Sequence, residues 1–294
     1  MNRTLYIGNP AHLRCQRRQL EVVDPDTRDT KGTAPIEDLA FVVLDHPRIT
    51  LTHHLMVSLH EAGCALISCD GRHMPHALTL PFAGHSEHSE RIRRQVEVSK
   101  PLRKNLWKQT VEAKVHNQAR VLEHFDEDAS VLWDCVRTVR SGDTTNREGV
   151  AAKAYWAGLL GDFTRERYGE APNHLLNYGY AILRALVARA LSATGLHLAL
   201  GIHHRNKYNP ACLADDVMEP YRPYVDLLVL DILGTHDEDT ELDPATKKRL
   251  LSIMTVDVRI DHTKRPLQVA TAITAASVYQ CMTGKRRILR YPML

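Results

Sequence analysis

Glu148, His204 and Glu219 carry the chemistry this sequence offers most plainly. Glu148 stands in Asn146-Arg147-Glu148-Gly149 and His204 in Gly201-Ile202-His203-His204. Glu219 stands in Asp216-Val217-Met218-Glu219-Pro220, with Asp216 one helical turn before it. Carboxylates with a single imidazole make an oxygen-rich donor set. Such a set suits a hard divalent cation, Mg²⁺ or Mn²⁺, better than zinc, which takes more nitrogen and sulfur. A metal of that kind beside basic residues points to phosphodiester chemistry on nucleic acid.

Taken singly, each residue has a plainer explanation. Asp216 and Glu219 project from adjacent turns of one helix face, and an acidic first turn is ordinary. Glu148 lies early in a helix and is followed by Gly149-Val150-Ala151-Ala152. If that small-residue face is buried, the carboxylate needs a partner, a metal or a cation such as Arg147 or Lys153. His204 ends the apolar segment Leu196 to Ile202 and enters the polar loop Arg205-Asn206-Lys207-Tyr208-Asn209, where a lone histidine is more often a hydrogen-bonder than a ligand. A competing zinc set, His60, Cys64, Cys69 and His73, is disfavoured. Its two cysteines bracket an apolar strand and face opposite sides of it.

The elements that must position these residues change character near residue 85. Up to that point the chain reads as short strands with turn residues between them: Leu5 to Ile7, Gln16 to Val23, Leu39 to Leu44, Ile49 to Thr52, Cys64 to Cys69 and Ala77 to Leu80. One helix, Thr52 to Ala62, interrupts them and stops at Gly63. From there on, helical patterns dominate. Helices are expected from Pro101 to Phe125, Asp128 to Val139, the Asp143-Thr144-Thr145 caps to Leu160, Asn173 to Ala193, Asp215 to Leu233, Pro244 to Met254 and Pro266 to Thr283. The fold class is therefore α+β, an N-terminal β-sandwich domain (1–85) followed by a larger all-α domain (86–294).

At 294 residues and 44% apolar content the chain has a sizeable core. No apolar stretch is long enough to span a bilayer and no signal peptide opens the chain, so a cytoplasmic location is expected. Six cysteines without a C-x-x-C pair read as reduced thiols. The net charge of +3 says little, but residues 86–125 hold 9 Lys/Arg against 5 Asp/Glu, while the rest of the chain is balanced. Arg91, Arg93, Arg94, Lys100, Arg103, Lys104 and Lys108 are thus the candidate duplex track, although a solvated helix face would read the same way. Lys285-Arg286-Arg287 and Arg290 form a basic tail. Tyr155 and Tyr178 read as core.

Together the local runs become specific. Asn146 to Gly149 with Ala151 to Tyr155, Asn177-Tyr178-Gly179-Tyr180-Ala181-Ile182-Leu183, Gly201 to His204, and Asp216 to Pro223 with Val225-Asp226 closely resemble the CRISPR-associated integrase of spacer acquisition, the Cas-one family. Cys69 to Pro75 is similar to the strand and turn ending that family's β domain. The Met218-Glu219-Pro220-Tyr221-Arg222-Pro223 wording resembles the subtype that accompanies the single-chain RNA-guided effector nuclease.

The resemblance implies a metal-dependent DNA integrase and endonuclease. Its catalytic metal ligands would be Glu148, His204 and Glu219, with Asp216 a further acidic position nearby. The 3′ hydroxyl of a captured DNA fragment would attack a phosphodiester of the CRISPR repeat. The expected partners are double-stranded DNA, a second copy of the chain through the N-terminal domain, the small ferredoxin-like Cas-two protein in a heterohexamer, and the effector nuclease. Arg147, Arg205, Asn206, Lys207 and Arg222 flank the ligands and are candidates to hold phosphates. A non-catalytic DNA-binding scaffold and a general nuclease for branched DNA are the alternatives.

Overall fold

The computed structural model of the chain describes residues 3–81, 84–161, 163, 165–166, 169, 172–234 and 240–294. It divides into two compact units, Met1–Gly84 and His85–Leu294.

The first unit contains β1 (Arg3–Ile7), β2 (Ala11–Gln16), β3 (Gln19–Val23), β4 (Thr30–Pro35), β5 (Leu39–Leu44), β6 (Ile49–Leu51), α1 (His53–Glu61), β7 (Ala65–Cys69) and β8 (Pro75–Thr79). They form two four-stranded sheets, ordered β1-β5-β7-β8 and β4-β3-β2-β6. β5 is the central apolar run, buried almost throughout because parallel neighbours flank it on both sides. Leu13 and Leu20 from one sheet, Val42 and Leu66 from the other, and Leu55 and Leu59 from α1 share one core. Thr52 caps α1 through its side-chain oxygen, and Gly63 follows in the left-handed region. Cys64 lies in this core and the His73 imidazole sits 2.8 Å from Asp45, so neither is held for a zinc site.

Gln16 to Val23 is not one strand. Arg17 and Arg18 both take positive φ, 49° and 61°, and fold the segment into the β2–β3 hairpin. A two-residue turn with both φ positive matches strand twist and usually calls for Asn or Gly. Arginines there give no turn signal in the sequence.

The second unit contains α2 (His88–Glu97), α3 (Lys100–His124), α4 (Ser130–Thr138), α5 (Arg147–Leu160), α6 (Asn173–Ala193), α7 (Cys212–Met218), α8 (Arg222–Gly234), α9 (Pro244–Leu251), β9 (Asp257–Ile260), β10 (Thr263–Pro266) and α10 (Leu267–Met282). The expectation of an all-α domain needs one correction. β9 and β10 form an antiparallel hairpin that turns on Asp261 and His262, again with both φ positive and again without glycine. The helix expected across Asp215 to Leu233 is broken by a tight 3₁₀ turn, Glu219–Tyr221. Pro220 lacks the N–H that a continuous helix would use there. Among the described residues no helix is long and apolar enough to cross a membrane.

α6 is the buried spine of this unit, with Leu175, Tyr178, Ile182, Leu183, Leu186 and Leu191 all inside. Tyr155 is fully buried as well. Gly179 lets α8 approach: a Cβ there would stand 2.5 Å from Val225 Cγ1. Val225 is fully buried. Alanine would gain about 1 kcal/mol of helix propensity but incur roughly 1–3 kcal/mol of overpacking. Gly179→Ala is therefore expected to lower stability in chemical unfolding; a variant as stable as the native chain or more so would show that this close approach is not tight.

Candidate functional site

The site is built on α3. Ser99 caps it, its hydroxyl accepting from Leu102 N, and Pro101 fits the first turn. Its inward stripe runs Trp107, Thr110, Val111, Lys114, Gln118, Leu122, all buried. Lys114 stands out there, because a buried ammonium must be matched by charge. Its Nζ lies 2.6 Å from Glu148 Oε1 and 2.6 Å from Glu219 Oε2. The first contact is a hydrogen bond. The second is an ion pair at the same distance, off the usual hydrogen-bonding directions. A lysine on the apolar face of a helix was the signal in the sequence that pointed to carboxylate partners, and the motifs alone passed over it.

Glu148 is placed by the start of α5. Asn146 adopts the left-handed conformation (φ 51°), which asparagine tolerates, and turns the chain into the helix. Asp143 reaches over it: its Oδ1 accepts from Arg147 N at 2.7 Å and its Oδ2 from Glu148 N at 3.0 Å. The partner of the half-buried Glu148 carboxylate is thus Lys114, rather than Arg147 or Lys153.

Glu219 opens the 3₁₀ turn between α7 and α8. That turn is pinned to α3 by Asn117, one helical turn after Lys114, whose buried amide donates to Pro220 O at 2.8 Å and Pro292 O at 3.0 Å. Arg222 Nε donates to Glu219 Oε1 at 2.8 Å. Burial disfavours the charged carboxylate, but Arg222 and Lys114 outweigh it and hold Glu219 down at about 2. The Arg222 guanidinium also lies 4.5 Å over the Tyr180 ring. Tyr180 and Tyr155 both donate to Asp226, whose buried carboxyl is pushed up to about 6 by desolvation against those hydrogen bonds.

His204 is fixed from behind. Its Nδ1 lies 2.5 Å from Asp216 Oδ1, while Asp216 Oδ2 accepts from His203 N at 2.8 Å. The fully buried Asp216 is therefore the residue that orients His204, and its oxygens are taken up in that role; it does not offer itself as a ligand. With Nδ1 turned to a carboxylate, Nε2 is the ring nitrogen left to bind. Asp216 raises the His204 pKa against the opposing effect of burial, and the fields of Glu219 and Glu148 add to the rise. Trp107 stacks on His203 at 4.2 Å and meets His204 edge-on at 5.6 Å. Gly201 is required by the same close packing. A Cβ there would run into the His204 carbonyl oxygen and stand 2.8 Å from Asp216 Oδ2.

The convergence on one cation is partial. Among the described residues no three His, Cys, Asp or Glu side chains close to metal-binding spacing. A lysine ammonium stands between Glu148 and Glu219. The donor set fits a hard divalent ion nevertheless. Two carboxylates already share one cationic partner, and a carboxylate-backed imidazole lies within reach of their field.

The expected DNA-binding residues divide. Arg93, Lys100, Lys104, Arg205, Asn206 and Lys207 are exposed. Arg91 is structural: it donates to Thr194 O at 2.8 Å and lies 4.2 Å over the Tyr279 ring. Arg94 pairs with Glu90, Lys108 with Glu112 and Arg147 with Asp134, and Arg103 donates to Val96 O. Arg222 is the internal counter-ion of Glu219. The basic tail is packed at Leu289 and Tyr291, which are buried, with the Tyr291 hydroxyl 3.0 Å from Thr110. Beside the site opens a cavity of about 750 Å³ whose lining includes Arg165, Arg184, Arg222, Asn177 and Tyr208.

Replacing Asp216 with asparagine removes the charge that raises the His204 pKa and leaves burial, which lowers it. In metal-free Asp216→Asn the His204 ring is expected to titrate at lower pH than in the native chain, as read by NMR. An unchanged titration would remove Asp216 from its orienting role.

Comparison with known proteins identifies the family. The family model described as CRISPR associated protein Cas1 matches residues 5–251. The chain is 37% identical over 262 residues to a CRISPR-associated endonuclease Cas1 of Neisseria meningitidis serogroup C (strain 8013), covering 88% of this chain and 85% of that one. Among solved structures it resembles a casposase bound to integration product (TM-score 0.81, 18% identity, 98% of this chain and 92% of that one). It also resembles a chain of a Cas6-RT-Cas1–Cas2 complex (TM-score 0.74, 19% identity, 97% of this chain and 35% of that longer one). With its motifs in family order and a family match over most of its length, the chain belongs to the Cas1 family of CRISPR-associated endonucleases.

Proposed function

We propose that this protein is a divalent-metal-dependent DNA integrase that joins captured DNA fragments into a CRISPR array. The observation that carries this reading is the gathering of Glu148 and Glu219 around a single cationic group beside the Asp216-backed His204. Glu148, Glu219 and His204 Nε2 would hold Mg²⁺ or Mn²⁺. When bound, such an ion lowers the pKa of an attacking hydroxyl and stabilises charge on phosphoryl oxygens.

The chain's own groups do the rest. Asp216 keeps the His204 proton on Nδ1. Arg222 fixes the direction of the Glu219 carboxylate. The exposed loop residues Arg205, Asn206 and Lys207 would take backbone phosphates. The reaction is a transesterification: the fragment's 3′ oxygen forms a new bond to the phosphorus at the 5′ end of a repeat strand, the bond from that phosphorus to the 3′ oxygen of the adjoining nucleotide breaks, and no covalent enzyme intermediate is needed. Water in place of the hydroxyl gives nicking.

Pairing of two copies through the first unit and assembly with the small Cas2 partner complete the proposal. The likeness to a chain of a Cas1–Cas2-containing assembly and to a casposase on its integration product supports this reading, as does the kinship with the Neisseria endonuclease.

Glu148→Ala, His204→Ala and Glu219→Ala should each reduce Mg²⁺- or Mn²⁺-dependent strand joining by roughly 100-fold or more, the scale expected when metal stabilisation of the transition state is lost. DNA binding should survive. Full joining in all three would leave the chain a DNA-holding scaffold.

Alanine at the exposed Arg93, Lys100 and Lys104 should weaken binding to unrelated duplexes alike. It should also flatten the plot of log affinity against log salt by about 0.9 for each phosphate contact removed. An unaltered slope moves the duplex elsewhere.

A further inference from the structure

We propose that Lys114 is a positioning residue whose ammonium acts as the resident counter-cation of Glu148 and Glu219. It holds the two carboxylates in place in the metal-free protein and yields that place when a divalent cation binds. The inference rests on the metal reading above and goes beyond it by naming what occupies the cation position first.

The argument begins with charge. Glu219 and Lys114 are both buried and Glu148 is half-buried. Two like charges brought together away from water repel strongly unless a cation sits between them. The Lys114 ammonium touches an oxygen of each at 2.6 Å. Arg222 neutralises the far side of Glu219 through Oε1, so Lys114 matches the side that faces Glu148.

Next comes the question of which cation can leave. Arg222 is held on two sides, by Glu219 and by the Tyr180 ring, and its planar fork is fixed. Lys114 is a point charge on a four-carbon stem, and its contact with Glu219 Oε2 is not an aligned hydrogen bond. The backbone beneath it stays put, because Asn117, one turn on, is tied to Pro220, Pro292 and Leu294. A swing of the stem alone therefore frees both carboxylate oxygens without disturbing α3. A divalent ion then replaces one positive charge with two at the same pair of oxygens.

The test compares the full-length native chain with Lys114→Met, which keeps the stem and loses the charge. Mn²⁺ binding is read by electron paramagnetic resonance and thermal unfolding is followed with and without Mn²⁺. Lys114→Met should melt lower than the native chain without metal. It should bind Mn²⁺ about ten-fold tighter, since a competing charge a few ångströms away is gone. It should also gain more from Mn²⁺ in melting temperature. A Lys114→Met chain that folds only when Mn²⁺ is present supports the same conclusion, because the metal then stands in for the ammonium. Lys114→Arg, which keeps the charge, should stay near native in both readouts.

Mn²⁺ binding that is lost in Glu219→Ala but equal or weaker in Lys114→Met overturns this inference alone. So does a Lys114→Met chain that stays unfolded at every Mn²⁺ concentration. Native protein that binds no Mn²⁺, or binds it undiminished after Glu219→Ala, overturns the metal reading and this inference with it.

Discussion

Two carboxylates face each other at the edge of a helical core, and the second unit is arranged around the need to match their charge. Taking each ion out of water carries a penalty of several kcal/mol, and mutual repulsion adds to it. Lys114 and Arg222 supply the compensation from opposite sides. This constraint explains why α3, the start of α5 and the turn between α7 and α8 meet at one place. Each contributes one charged group, and none of the three could bury its group alone.

The layer behind those groups is as specific as the groups themselves. Asp143 fixes the first turn of α5 and so the origin of Glu148. Asn117 fixes the Pro220 turn and so the origin of Glu219. Asp216 fixes the imidazole of His204, and Trp107 packs against it. Tyr155, Tyr180 and Asp226 form a buried hydrogen-bonded set under Arg222. In a Cas1-family protein such support has a clear use. A phosphodiester reaction leaves little covalent work to the protein, so catalysis depends on where charges are held. The site rests on helix ends and packed side chains, which hold position better than free loops.

Much of this was legible in the sequence, and the limits are physical. The run Asp216 to Pro223 and the glycine-histidine run at Gly201 to His204 marked the family and three of the charged groups, because close packing leaves those positions few alternatives. Asn173 to Ala193 was readable as a helix because its apolar period is strong. The two hairpins at Arg17-Arg18 and Asp261-His262 were not readable, since neither turn carries the Asn-Gly or Asp-Gly pair that marks a two-residue hairpin. The basic stripe of residues 91–108 was correct as composition. It could not show that Arg91 reaches Thr194 and the Tyr279 ring.

The sequence by itself determined the family, the change from strands to helices near residue 85 and the types of group available for chemistry, because these depend on local spacing and residue identity. Only the tertiary structure decided who pairs with whom. Lys114 and Glu148 are 34 residues apart and Lys114 and Glu219 more than a hundred, so no local pattern links them. Their pairing, like the assignment of Asp216 to His204, follows from burial. Once helices close over charged groups, each must find its opposite within a few ångströms, and the fold determines which one is there.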